Sequence, residues 1–255
     1  MTSPSAPSFD LSLVIPAQNE ESRLPATLTR ISRLAQERAL QIEVIIADDG
    51  STDATPHLAQ SAPKNLTTRV LPSPRAEGPG AAVKRGVLAS RGARVLICDA
   101  DGPVPFADLR LLEAALDAGA QVAAGSRALA RSSILRSQPP HRVWMGKVWR
   151  RAVRSIAPTG VSDTQCGFKL LEHQAAHRIF ERAQEPGFVF HVEALLIARS
   201  LGYTITEVPI RWSDAPGSKV RLLQDSLTML ASLLRLSRRH ARQLKRSPPE
   251  ISHAH

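Results

Sequence analysis

Residues 42–53 read Ile42-Glu43-Val44-Ile45-Ile46-Ala47-Asp48-Asp49-Gly50-Ser51-Thr52-Asp53. A mostly apolar run ends abruptly on two carboxylates and a glycine. Such a run, bounded by turn residues, predicts a buried strand over 42–47. Gly50 suits a tight turn, and Ser51 or Thr52 is a ready N-cap for a short helix over 52–60. The stretch therefore reads as strand, acidic turn, helix.

The same unit recurs on either side. Residues 11–16, Leu11-Ser12-Leu13-Val14-Ile15-Pro16, form a strand closed by proline. Residues 20–38 follow with helical spacing of Leu24, Leu28, Ile31 and Leu34. Further on, strands are expected at 67–71, 94–98 and 121–124, with helices at 78–90 and 108–118. Strands that alternate with helices at short spacing predict an α/β fold, a mainly parallel sheet flanked by helices. In such sheets ligands bind beyond the carboxyl ends of the strands. Three of these ends carry Asn19 and Glu20, Asp48 and Asp49, and Asp99 and Asp101. Any one cluster is equally readable as caps and turn residues; three at successive strand ends point to a site.

The chemistry of the third is specific. In Cys98-Asp99-Ala100-Asp101 the two acids stand at i and i+2, which point the same way on extended backbone. Two such carboxylates suit one hard divalent cation that keeps water and substrate phosphate in its shell. A departing diphosphate needs that cation, because negative charge grows on its oxygens.

Past residue 125 the character changes. The chain has 255 residues and a formal charge of +10. Residues 127–162 hold eight Lys and Arg and no Asp or Glu, and residues 235–246 hold six more, again without acid. The bias implies an anionic partner. Residues 142–156 show helical period, with Trp144, Met145, Val148, Trp149, Ala152 and Ile156 on one arc and Lys147, Arg150, Arg151 and Arg154 opposite. Residues 220–244 repeat the design with Leu223, Leu227, Leu230, Leu233 and Leu234. Such helices suit the surface of an anionic membrane; docking on the sheet with solvated basic faces is the alternative. No uncharged apolar run reaches the ~18 residues that span a bilayer. Two cysteines give neither a disulfide framework nor metal-ligand spacing, which fits a reducing compartment. The Ser/Pro-rich start lacks the regions of a signal peptide. His141, His173, His177 and His191 form no metal pattern and read as helix-surface or loop residues. Glu193, on an apolar helix, is either a paired buried acid or a site residue.

Taken in order, Val14-Ile15-Pro16-Ala17-Gln18-Asn19-Glu20, Ala47-Asp48-Asp49-Gly50-Ser51-Thr52-Asp53, Gly78-Pro79-Gly80-Ala81-Ala82, Asp99-Ala100-Asp101 and Gly125-Ser126-Arg127 resemble the motifs of family-two glycosyltransferases of the GT-A fold. Asp163-Thr164-Gln165-Cys166-Gly167-Phe168-Lys169 and Pro216-Gly217-Ser218-Lys219-Val220 resemble the polyprenyl-phosphate branch, the dolichyl-phosphate β-glucosyltransferases first and the mannosyl enzymes next. The likeness runs over about residues 11–234. It implies transfer of one hexose, glucose from UDP-glucose, to a polyprenyl phosphate with inversion, on the cytoplasmic face of a membrane. GDP-mannose as donor, or a soluble or polysaccharide acceptor, are the alternatives.

The resemblance also assigns residues. Pro16, Ala17, Asn19, Glu20, Asp48 and Asp49 line the nucleoside pocket, and Asp99 and Asp101 hold Mg²⁺ or Mn²⁺ with Ala100 between them. Arg127 and Lys219 face donor diphosphate or acceptor phosphate, with Arg131 and Arg136 as further acceptor-phosphate candidates or solvated loop residues. Asp163 sits near the sugar. Departures stand at Gln18, where many relatives have Tyr, at Ala128, where His is common, and at Pro103, where some mannosyl relatives have Gln. Pro79 replaces a common Lys, for which Lys84 is the substitute. Arg211-Trp212 echoes the synthase signature Gln-x-x-Arg-Trp, but Val208 stands in place of Gln. The expected layout is a disordered tail over 1–10, the glycosyltransferase domain over 11–219, a basic amphipathic helix over 220–246 and a disordered tail over 247–255. A basic nucleic-acid module is disfavoured: no recognition motif is present and it leaves the acidic strand ends unexplained.

Overall fold

A computed structural model describes residues 7–137, 139–214, 222–240 and 252–253. In chain order the elements are β1 (Phe9–Ala17), α1 (Leu24–Arg38), β2 (Ile42–Asp48), a 3₁₀ turn (Thr55–Ser61), β3 (Thr67–Leu71), α2 (Pro79–Leu88), β4 (Gly92–Ile97), α3 (Leu109–Asp117), β5 (Val122–Ser126), β6 (Ser133–Arg136), α4 (Pro140–Ile156), β7 (Lys169–Glu172), α5 (His173–Arg182), α6 (Phe190–Ser200), β8 (Ile205–Pro209), β9 (Arg211–Ser213), α7 (Leu222–Arg239) and β10 (Ser252–His253).

Eight strands form one sheet in the order β10-β8-β5-β7-β4-β1-β2-β3. All neighbours run parallel except β7, which is antiparallel to both β4 and β5. The mainly parallel α/β expectation holds, and the one reversed strand lies at its centre. Alternation along β1 sets the layers. Leu13 and Ile15 join the core beneath α1 and α3, with Leu28, Ile31, Leu109 and Leu112. Val14 faces the other way, into the core of α2, α5 and α6 with Val83, Val87, Ile179 and Leu195.

Several boundaries differ from the sequence reading. β1 begins at Phe9, because Ser8 and Asp10 donate their amides to Arg91 O and Gln41 O. Phe9 and Asp10 are thus strand and not tail. The helix expected from residue 52 is a 3₁₀ turn from Thr55; Ser51 instead accepts the Asn19 amide at 2.9 Å, and Asp53 caps Thr55 at 2.9 Å. Ser252–His253, inside the expected C-terminal tail, pairs with Thr206 and Glu207 on β8.

The amphipathic helices do two things at once. Val153 and Ala157, with α7 residues Leu233 and Leu236, close a third core on Val192 and Leu196 of α6, joined by Trp149, Ala152 and Ile156. Trp144 and Val148, placed by period on the same arc, stay exposed, as do Leu227, Leu230 and Leu234 of α7. One edge of each helix docks on the domain and the other remains apolar and uncovered.

Candidate active site

β4, β1 and β2 are adjacent and parallel, so their carboxyl ends lie side by side, with Val14 opposite Ile97 and Ala17 opposite Asp48. The three acidic clusters therefore share one edge of the sheet, as the strand pattern predicts.

The first two form a stitched floor. Asn19 adopts a left-handed conformation (φ 55°) and accepts the Thr52 amide at 2.7 Å. Glu20 donates its amide to Thr55 Oγ1 at 2.7 Å, and its carboxylate is held by Arg23 Nη2 at 2.5 Å and Nε at 2.6 Å. Gly50 (φ 69°) makes the turn that a side chain could not, since a Cβ there meets Arg75 C at 2.5 Å. Asp49 spends its carboxylate on the amides of Glu77 and Gly78, at 2.7 and 2.9 Å. Its role is to pin the Gly-rich turn. Asp48 differs: Oδ2 accepts the Ser51 amide at 3.3 Å, but the buried Oδ1 accepts nothing among the described residues. A buried acceptor left open is costly and reads as awaiting a donor. Pro16 and Ala17 end β1 beside it.

Asp99 and Asp101 lie on the turn after β4. Thr27 donates to Ala100 O at 2.7 Å, and Arg30 donates to Gly102 O at 3.0 Å and Asp101 O at 3.1 Å, so α1 fixes the turn. Ala100 turns its methyl into the core, which makes it a packing residue more than a ligand. Space for the Asp99 carboxylate comes from Gly167, where a Cβ would stand 2.3–2.5 Å from it. Burial pushes the Asp99 carboxyl up to about 6; Asp101 adds to the push, and Lys169 and Arg127 oppose it. Burial also raises Asp101, against Arg23, which stands 3.9 Å away. Two crowded carboxylates that resist ionisation fit a divalent cation, whose charge restores their ionised form. Among the described residues no group of three or more His, Cys, Asp and Glu forms a complete cage. The pair suits Mg²⁺ or Mn²⁺ that takes further oxygens from phosphate and water.

Across the cleft, Arg127 is held on two sides. Its Nε and Nη2 donate to Asp163 Oδ2 and Oδ1 at 2.6 and 2.9 Å, and its amide donates to Oδ2 at 3.0 Å. Its guanidinium lies over the Trp212 ring, 5.4 Å from the centroid. Asp163 is itself oriented by Glu207, whose carboxylate accepts the Ser162 and Asp163 amides at 3.0 and 2.9 Å. Burial works to raise Asp163, but the Arg127 charge and hydrogen bonds hold it below the usual carboxylate range. It is an ionised anchor, and its lone pairs are already engaged.

Other expectations move. Lys84 does not reach the strand ends: Nζ donates to Ala183 O at 2.6 Å, so it caps the end of α5 and not a phosphate. Arg131 and Arg136 are exposed, and Arg136 lies on β6 with its carbonyl taken by the Asp214 amide. Lys219 lies outside the described residues. His191 is buried and does not lie on a helix surface or loop, with Nδ1 3.4 Å from Lys169 Nζ. Lys169, fully buried, also donates to Thr164 O at 3.1 Å and to Cys166 O, and so ties together the loop that carries Asp163 and Gly167. The motif 163–169 contained it, but spacing gave no reason to bury a lysine. Trp212 was legible only as half of a synthase signature.

The chain matches Glycosyl transferase family 2 over residues 12–180. It belongs to that family. Curated relatives named dolichyl-phosphate beta-glucosyltransferase share 37% identity over 235 residues in Drosophila melanogaster, covering 84% of this chain and 70% of the relative. Those of Mus musculus share 34%, with 84% and 71% covered, and those of Saccharomyces cerevisiae 32%, with 88% and 73%. Among solved structures, glucosyl-3-phosphoglycerate synthase from Mycobacterium tuberculosis in complex with Mn²⁺, UDP and phosphoglyceric acid superposes with a TM-score of 0.67, at 22% identity, over 90% of this chain and 79% of that one. This family-2 glycosyltransferase thus has the GT-A fold that its strand pattern and motifs predict.

Proposed function

We propose that this enzyme transfers a single hexose, glucose from UDP-glucose, to a polyprenyl phosphate and inverts the anomeric carbon. The observation that carries the reading is the pairing of Asp99, seated in the Gly167 recess with Asp101 nearby on the same turn, with a guanidinium clamped by Asp163 and Trp212. One half suits a leaving diphosphate, the other an incoming phosphate. The names of the curated relatives supply the acceptor class and the sugar.

Asp99 and Asp101 would hold Mg²⁺ or Mn²⁺, which supplies charge to the departing nucleoside diphosphate. Asp48 Oδ1, buried and without a partner among the described residues, would accept a base N–H, with Pro16 and Ala17 as the floor. Asp49 and Asn19 shape the pocket through the backbone. Arg127 keeps Nη1 clear of Asp163 and offers it to the acceptor phosphate. A phosphate monoester, with a second pKa of about 6, is largely dianionic at neutral pH and needs no general base to attack. Asp163 therefore orients Arg127 and removes no proton.

The acceptor is a lipid, and the uncovered edges of α4 and α7 face that need. Trp144, Val148, Leu227, Leu230 and Leu234 are exposed beside Lys147, Arg150, Arg151 and Arg235. An apolar strip flanked by cations suits an anionic membrane surface. No described helix is long and apolar enough to cross a membrane; peripheral seating on the cytoplasmic face is the arrangement proposed.

Purified protein incubated with Mn²⁺ or Mg²⁺, radiolabelled UDP-glucose or GDP-mannose and a polyprenyl phosphate tests the reading. A β-linked glucosyl lipid formed only with metal supports it. Absence of transfer from every common nucleotide sugar overturns it.

A further inference from the structure

Glu193 lies on α6, fully buried. Its two oxygens hold different parts of the protein. Oε2 accepts the amides of Gln184 and Glu185 at 2.8 and 2.7 Å. Oε1 accepts Nη1 of Arg239, in the last turn of α7, at 3.1 Å and lies 3.6 Å from His240 Nε2. Burial works to raise this carboxyl, but His240, the two amides and Arg239 together hold it below the usual range.

The segment fastened by Oε2 is the one against which the Gly-rich turn is packed. Pro186 O accepts the Gly80 amide at 2.7 Å and the Ala81 amide at 3.3 Å. The fit leaves no space for a side chain: a Cβ on Gly78 would stand 2.4 Å from Pro186 O, and one on Gly80 2.3 Å from Glu185 O. On its other side the turn gives the Gly78 amide to Asp49 at 2.9 Å. A continuous set of contacts thus runs from the end of α7, through Glu193 and residues 184–186, to the floor of the nucleoside pocket.

We infer that Glu193 is a positioning residue for the donor pocket, which couples the seating of α7 to the geometry of the turn over 78–80. The inference rests on the nucleotide-sugar reading above. Its physical basis is the cost of an unbalanced buried charge. With α7 seated, Arg239 balances Glu193, and the carboxylate holds residues 184–186 firmly against the turn. With α7 lifted, the carboxylate loses its cation and its grip on that segment is no longer favoured. Because coupling is reciprocal, nucleotide bound at the turn favours the seated helix. The lipid-facing helix and the donor pocket then respond to one another without any residue of α7 entering the cleft.

The test measures affinity for UDP-glucose with Mn²⁺ by calorimetry on the full chain, for the parent, Arg239→Gln, Arg239→Lys and Glu193→Gln. Arg239 is 40% exposed, so Arg239→Gln reaches the link without emptying the core. It is expected to weaken donor binding about fivefold or more, to raise donor KM while kcat and acceptor KM hold, and to speed amide exchange in residues 78–81 and 184–185. Arg239→Lys restores most of the affinity, and Glu193→Gln adds little to Arg239→Gln. Donor affinity and exchange at 78–81 equal to the parent in Arg239→Gln overturn the inference, as does a uniform fall in Tm with both KM values moving together. A parent that binds no nucleotide sugar fails the proposed function instead, and exchange at 78–81 in the ligand-free variants still decides the coupling.

Discussion

Gly167 and Asp99 occupy one space: a Cβ at 167 would stand 2.3 Å from Asp99 Oδ2. The glycine lies on the loop after Asp163 and the acid on the turn after β4, so their contact joins the two halves of the cleft. Gly167→Ala is predicted to push the carboxylate out of its recess. A shift near 1 Å costs about 100-fold in turnover. The expected result is that loss in kcat with Mn²⁺, measured beside circular dichroism that stays native.

Replacement of either acid should remove metal-dependent transfer. Asp99→Ala and Asp101→Ala are each predicted to abolish it, as read by labelled lipid formed at saturating Mn²⁺. Full activity in one variant would detach that residue from the metal.

The pH dependence of the acid pair follows from its burial. Asp99 ionises near 6 in the folded, metal-free protein, against about 3.9 in an unfolded chain. The folded state thus binds the extra proton between those values, so this group's contribution to stability is present below pH 4 and is lost as pH rises through 6. Metal-free Asp99→Asn should accordingly be more stable than the parent at pH 7.5, and this advantage should vanish near pH 4. The Tm gain from Mn²⁺ should run the other way, large at pH 7.5 and small at pH 5, because the ligand must lose its proton. Thermal scans at the three pH values check both.

Asp163→Asn leaves Arg127, whose side chain is 25% exposed, without its anion. Removing one partner of a part-buried charged hydrogen bond costs about 1–3 kcal/mol, which urea unfolding would register. Arg127→Lys keeps the charge but loses the fork that grips Asp163 and the plane that lies over Trp212. It is expected to raise acceptor KM more than donor KM in steady-state assays.

Trp144→Glu puts a charge on the uncovered edge of α4, where the indole is 66% exposed. Flotation with anionic liposomes should fall about tenfold, the loss expected when one large interfacial anchor is removed. Equal flotation would take α4 out of the membrane contact.

Much of this was readable because burial on both faces leaves a plain mark. Val14-Ile15, Val44-Ile45-Ile46 and Val95-Leu96-Ile97 announce strands, and the acids that follow announce the edge where they end. β7 was not readable: Lys169-Leu170-Leu171-Glu172 is short, and the lysine that starts it is buried only because backbone carbonyls receive it. β6 and β9 are strands of four and three residues with no period to detect. Lys84 misled because a charge near a glycine-rich turn looks like a phosphate ligand, whereas the end of α5 lies nearer to it. The division of labour between Asp48 and Asp49 is likewise invisible in two adjacent letters. It depends on which carboxylate meets the amides of residues 77 and 78, a contact 28 and 29 positions away.

The reversed strand at the centre of the sheet also orders assembly in time. β7 fits between β4 and β5, and it pairs Leu171 with Val95 and Val122, so the sheet stays split until residues 169–172 are inserted. Synthesis from the N-terminus delivers residues 169–172 only after β1 to β5 have been made. The β1–β4 half, with its three acidic ends, can gather early as the chain emerges from the ribosome. The recess at Gly167 and the Arg127–Asp163 clamp come into being only when the wedge goes in. A nascent chain therefore carries the acids of the strand ends before it carries the glycine that makes room for Asp99.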